Sequence, residues 1–300
     1  MTGQLEGRAA IVTGASRGLG RSIALALAAH GAAVAVVART EQVWDERLPG
    51  TIGATVAEIE AAGGRAVAIR ADLLDRDDLA RLVAEARDAL GPITILVNNA
   101  AFTAPGRPPK PGAPAAHAPA AKAPGKPVGA PSGTAVKADW PGFVGTPLGA
   151  FRRHFEIAVF AVYELMQLVC PDMFAAGYGS IVNITSAASR MPGEGPYPVR
   201  DDGVLPGYGG SKAAVEHLTS SVAYELQDRH IAVNALSPSK PIMTPGLSYY
   251  AKDFDDVASE SDFAEAVVRL ALVDADVVTG RTIGHLDVLD GSFRPYRSGP

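Results

Sequence analysis

The sequence predicts a doubly wound α/β fold, a parallel sheet of about seven strands with helices on both faces, and three observations carry that expectation. Short runs rich in Val, Ile and Ala recur as AAIVT, AVAVVA, AVAIR, ITILV, SIVNIT and IAVNAL. Most are separated by segments of helical period: Leu19, Ile23 and Leu27 repeat every four residues, and Val215, Leu218, Val222 and Leu226 every three or four. The first run also leads straight into a glycine-rich turn, TGASRGLG, that opens the Leu19 helix.

In chain order, AAIVT is the first strand, and Gly14, Gly18 and Gly20 shape the turn after it. Glycines there let backbone approach a pyrophosphate at a helix N-terminus, where unpaired N–H groups and the helix dipole favour negative charge. AVAVVA is the second strand, and the helix holding Val56 and Ile59 stops at Gly63 and Gly64 before the third, AVAIR. ITILV is the fourth strand. The rhythm then breaks from about 103 to 148, where eleven of the chain's 23 prolines fall. No regular helix or central strand fits that composition. Arg107, Lys110, Lys122, Lys126 and Lys137 face only Asp139 there, so it reads as a basic solvated insertion in a single 1–300 domain, or as a tether for an acidic partner or the ligand. SIVNIT and IAVNAL complete the readable strands, and between them YGGSK opens the Val215 helix. Tyr208 and Lys212 stand four apart, so on a helix they share one face.

Composition narrows the function. The 300 residues suffice for a large core, hydrophobic residues make up 47% and charged ones 20%, and the net charge of −5 gives no reason to bind nucleic acid. Cys170 stands alone, which excludes an intramolecular disulfide and leaves a buried thiol as the expectation. The six histidines have no metal-ligand spacing, so no metal is expected. The N-terminus lacks the basic start and apolar stretch of a signal peptide, and no run approaches the roughly 18 apolar residues of a membrane span. A cytoplasmic protein without membrane contact is expected.

TGASRGLG, then NNAA, then YGGSK, in that order and at compatible separations, resemble the short-chain dehydrogenase/reductase family of classical type. The resemblance spans nearly the whole chain outside the insertions, and it implies a Rossmann-type domain that interconverts a carbonyl and an alcohol with a nicotinamide cofactor. It implies Tyr208 as acid/base, Lys212 as its activator and as holder of the nicotinamide ribose, and Ser186 as the hydrogen-bond donor that orients the reacting oxygen. Lowering a phenol from about 10 to about 7 requires roughly 4 kcal/mol, which the family assigns to the lysine ammonium and the oxidised nicotinamide. The same resemblance assigns Gly14, Ser16, Arg17, Gly18, Leu19 and Gly20 to the cofactor turn, Asp72 and Leu73 to the adenine, and Asn98 and Ala100 to the strand edge beside the cofactor. Where members that prefer NAD carry an acid, this chain has Ala38 and then Arg39. Arg17 and Arg39 together imply NADP(H) rather than NAD(H).

Two departures from the family stand out. The position of its fourth catalytic residue, an asparagine, falls at Ala158, which leaves open a cofactor-binding but silent interaction protein. Ser186 and Tyr208 lie 22 positions apart, longer than usual, with the excess expected as an irregular wall beside the substrate. The segment over 240–262 falls where the family's substrate loop lies and offers Met243, Leu247, Tyr249 and Tyr250 as apolar lining or as loop packing. In the family the helix bearing Phe151 to Val169 commonly forms a subunit contact, so a homodimer or homotetramer is expected.

Overall fold

The computed structural model describes residues 3–102, 143–196, 206–248 and 254–295. Seven strands, β1 (Ala9–Thr13), β2 (Ala33–Ala38), β3 (Arg65–Arg70), β4 (Ile93–Asn98), β5 (Gly179–Ile184), β6 (Ile231–Ser237) and β7 (Thr282–Gly284), form one sheet in the order β3-β2-β1-β4-β5-β6-β7. Every pairing is parallel. The predicted fold class is therefore the observed one.

The strands run as continuous apolar stretches because both faces are covered, and β1, β4, β5 and β6 are buried along their whole length. Alternate residues supply two separate cores. Val12, Val34 and Val97 meet Ile23 and Leu27 of α1 (Gly18–Ala29) and Phe263 and Val267 of α8 (Glu260–Leu272). Ile11 and Leu96 turn the other way, onto Leu79 and Leu82 of α3 (Arg76–Leu90), Leu165 and Val169 of α5 (Ala161–Ala176) and Val215 of α6 (Pro206–Leu226). This is the two-residue period of a strand read out in three layers.

Local chemistry sets the helix ends. Thr51, Asp75 and Ser259 each accept a backbone N–H at the start of α2 (Ile52–Ala61), α3 and α8. Gly177 closes α5 at φ 74°. Asp172 of α5 accepts from Arg87 Nε at 2.9 Å and from the Ile93 N–H at 3.0 Å, so one carboxylate ties α3, α5 and β4 together.

One helix differs from expectation. α4 (Leu148–Phe155), a π turn (Glu156–Phe160) and α5 run on without a break. Leu148–Ala176 spans 29 residues and contains an 18-residue stretch with a mean hydropathy of 1.5, long and apolar enough to cross a membrane by length and composition. The expectation that nothing approaches a span is thereby corrected. The inner side of this helix packs on β4 and α3, so the apolar residues on that side serve the core. The proline-rich insertion lies outside the described residues except for its last few, which form a short 3₁₀ turn (Phe143–Gly145) and enter α4.

The strand order reverses direction beside β1, with β2 on one side and β4 on the other, and in such sheets the crevice lies past the carboxyl ends of the strands there.

Candidate active site

A cleft of about 640 Å³ opens at that place. Its floor is the turn from Thr13 to α1. Gly14 and Gly18 hold φ values of 69° and 51°, and a Cβ on Gly20 would lie 2.3 Å from the Gly14 carbonyl oxygen. No side chain caps α1 at Arg17, so the first N–H groups of a twelve-residue helix are left for a ligand. Thr13 Oγ1 accepts from the N–H groups of Asn99 and Ala100, both at 3.1 Å, and Asn99 Nδ2 donates to the Thr13 carbonyl at 2.9 Å. These bonds lash the ends of β1 and β4 together under the turn. Gly20→Ala is expected to cost about 1–3 kcal/mol, as overpacking against backbone does. Thermal unfolding should record a melting temperature several degrees lower.

Ser16, Arg17, Leu19, Arg39, Asp72 and Leu73 all line one end of the cleft. Arg17 Nη2 donates to Thr40 Oγ1 at 3.1 Å and to the Gly50 carbonyl at 3.4 Å. Arg39 Nη1 lies 4.0 Å from Asp72 Oδ1. Burial, and after it the neighbouring Arg39 guanidinium, pushes the Arg17 pKa down, with Asp45 opposing. Two guanidiniums thus share a pocket that an anion would relieve. Trp44 and Leu48, from the loop between β2 and α2, wall the same end.

At the other end stand Ser186, Tyr208 and Lys212. Ser186 follows β5 and caps a 3₁₀ turn (Ala187–Ser189), accepting the Ala188 N–H at 3.3 Å. Pro206 is the first residue of α6, so Tyr208 and Lys212 fall in its first two turns and face one way. Lys212 is buried, donates from Nζ to the Ile184 carbonyl at 2.6 Å, and lies 5.8 Å from the Tyr208 ring centroid. His154 of α4 packs edge-on against the same ring at 6.0 Å. Burial brings the Lys212 ammonium down to about 8, with Glu216 opposing. Burial also pushes the Tyr208 phenol above its ordinary value, and the Ser186 hydrogen bond pulls the other way. The expected acidic phenol is therefore not a property of the polypeptide alone, because desolvation of a phenolate outweighs what the chain supplies.

Asn98 ends β4 at the strand edge. Its side chain turns into the sheet and donates to Asn183 Oδ1 of β5 at 2.8 Å, whereas Asn99 lines the cleft with Ala100. Phe102 and Ile157 also line it and were missed, having no periodic or motif signal, while Met191 and Phe254 line it from the two segments expected beside the substrate. Of the substrate-loop residues, Leu247 lines the cleft and Met243 does not, while Tyr249 and Tyr250 lie outside the described residues. Ala158 is buried in the π turn, so that bulge exists here without an asparagine side chain. Cys170 is half-buried, and burial raises its thiol pKa. Among the described residues no cluster of His, Cys, Asp and Glu could hold a metal ion.

Fold and cleft define a class, the doubly wound proteins with a dinucleotide turn at a helix N-terminus. The comparisons make it particular. The family model for short chain dehydrogenase matches residues 8–113 and 142–249. The chain is 29% identical over 290 residues to 7alpha-hydroxysteroid dehydrogenase of Escherichia coli, covering 93% of each. It is 30% identical over 287 residues to a 3-oxoacyl-[acyl-carrier-protein] reductase of Staphylococcus epidermidis, covering 92% of this chain and 96% of that one. A solved 7alpha-hydroxysteroid dehydrogenase complexed with NADH and 7-oxo glycochenodeoxycholic acid superposes with a TM-score of 0.68 at 28% identity, covering 93% of both chains. The chain belongs to the short-chain dehydrogenase/reductase family and is an oxidoreductase acting on CH–OH and C=O groups with NAD(P).

Proposed function

We propose that this chain interconverts an apolar secondary alcohol and its ketone, using NADP(H), with Tyr208 as the acid/base. The observation that carries the reading is one cleft with a glycine turn and two arginines at one end and Ser186, Tyr208 and Lys212 at the other. The residues fit the cofactor: free N–H groups of α1 suit a pyrophosphate, and Arg17 and Arg39 suit a ribose 2′-phosphate. When bound there, the cofactor would supply or accept the hydride of this interconversion. In reduction, Ser186 donates a hydrogen bond to the carbonyl oxygen, and Tyr208 Oη delivers the proton that completes the hydroxyl. Lys212, held on the Ile184 carbonyl, places a positive charge beside the phenolate left behind.

Phe102, Ile157, Met191, Leu247 and Phe254 give the substrate side an apolar lining, which favours an alicyclic or acyl ketone. With a panel of cyclic, terpenoid and 3-oxoacyl ketones, NADPH absorbance should fall for at least one. NADPH binding with no turnover across the panel would overturn the reading. Residues 1–300 are read as one catalytic unit in the cytoplasm, with the segment over 103–148 as an accessory. Its homo-oligomer face would be the outer side of α4 and α5, where Phe151, Phe160 and Tyr163 are exposed.

A further inference from the structure

Glu216 stands one helical turn beyond Lys212 on α6 and carries no part of the chemistry above. Its side chain is 14% exposed. Oε1 accepts from Thr185 Oγ1 at 2.7 Å and from Ser189 Oγ at 2.7 Å, and Oε2 accepts from Arg190 Nη2 at 3.2 Å. Those donors bracket Ser186, one just before it at the end of β5 and two just after it around the 3₁₀ turn. Few charged side chains are buried unless their oxygens are satisfied, and here three donors from one short segment converge on a single carboxylate.

We propose that Glu216 is a positioning residue of this site, pinning the 185–190 turn that presents Ser186 and setting its carboxylate one helical turn from Lys212. The inference rests on the proposed function for its catalytic meaning, not for its structural content. Residues four apart on a helix are neighbours, so the carboxylate that pairs with Arg190 of the turn at 3.2 Å also stands on the helix face of Lys212, whose proton it helps to hold. The other titratable groups at this place are Tyr208 of α6 and His154, which α4 packs against the Tyr208 ring. Neither offers Lys212 a fixed negative charge at neutral pH.

Because Thr185 and Ser189 both donate to Oε1, Glu216→Gln can keep those two bonds while it deletes the charge and the Arg190 contact. Glu216→Ala deletes everything. The two variants therefore separate geometry from electrostatics. Isotope-labelled lysine side chains followed by NMR, with the Lys212 signal assigned by Lys212→Met, read its titration without cofactor or substrate. The midpoint should fall by roughly one pH unit in both Glu216 variants. Amide exchange at Ala188, Ser189 and Arg190 should rise about tenfold or more in Glu216→Ala and change little in Glu216→Gln. With a ketone that is turned over, kcat should drop about 10- to 100-fold in Glu216→Ala, and the alkaline limb of the pH profile should move down in Glu216→Gln. A Lys212 midpoint identical in all three proteins would sink the electrostatic role, and unchanged exchange at the turn would sink the pinning role. A parent chain without turnover would count against the proposed function alone, since the NMR and exchange results stand by themselves.

Discussion

Tyr208→Phe is expected to lower kcat about 10³-fold while leaving NADPH affinity within a few-fold. The packing of this residue runs through its ring, against His154 at 6.0 Å and Lys212 at 5.8 Å, so phenylalanine keeps those contacts. Only the hydroxyl goes, and with it the proposed proton donor and the partner of Ser186. General acid–base assistance spans about 10²- to 10⁴-fold, and an alkoxide left with no acid in a buried site belongs toward the upper part. Lys212 stays anchored on the Ile184 carbonyl, which is why the cofactor should still bind. Single-turnover hydride transfer gives the first number and fluorescence titration with NADPH the second. A variant within tenfold of the parent would remove Tyr208 from the mechanism.

Arg39→Asp should weaken NADPH binding by about 10²-fold and leave NADH binding equal or tighter. A hydrogen bond to a charged group is worth roughly 1.5–3 kcal/mol, and the new carboxylate would add repulsion toward a phosphate. Toward a ribose diol the same carboxylate is an acceptor, as in dinucleotide sites that carry an acid there. Arg39 already neighbours Asp72 at 4.0 Å, so the substitution also sets two acids side by side, and a milder Arg39→Ala should show the loss without the gain. Dissociation constants for both cofactors decide it. Equal loss for NADPH and NADH would mean that the arginine supports the loop and does not read the phosphate.

Much of this was legible in advance, for reasons that differ by residue. The strands could be read because burial on both faces turns each into an unbroken apolar run, as in AAIVT and SIVNIT. The glycine turn could be read because its shape admits no Cβ at Gly20. Asn98 and Asn99 could not be told apart, since the pleat sends adjacent side chains to opposite sides and a two-letter repeat does not say which meets the cleft. Trp44 and Leu48 escaped because apolar residues in a loop have no period to betray their target. Sequence also shows charges and hides desolvation. The Tyr208 and Lys212 pair suggested an acidified phenol, yet burial acts on both groups and favours their neutral forms. Glu216 lay four residues past a recognised lysine, but its three donors come from a segment some thirty positions away, which no local pattern reports.

The enclosed ammonium of Lys212 is a burden on the folded chain. Its hold on a proton falls from 10.5 to about 8, and that gap is worth roughly 3 kcal/mol against a typical net stability of about 5–15 kcal/mol. Below about pH 8 both the folded and the unfolded chain keep this proton, and the whole penalty is felt. Between about 8 and 10.5 the folded chain sheds it first, the unfolded chain binds more protons, and this group's penalty fades as alkalinity increases. A neutral side chain of similar length would make a sturdier molecule without that charge in the cleft.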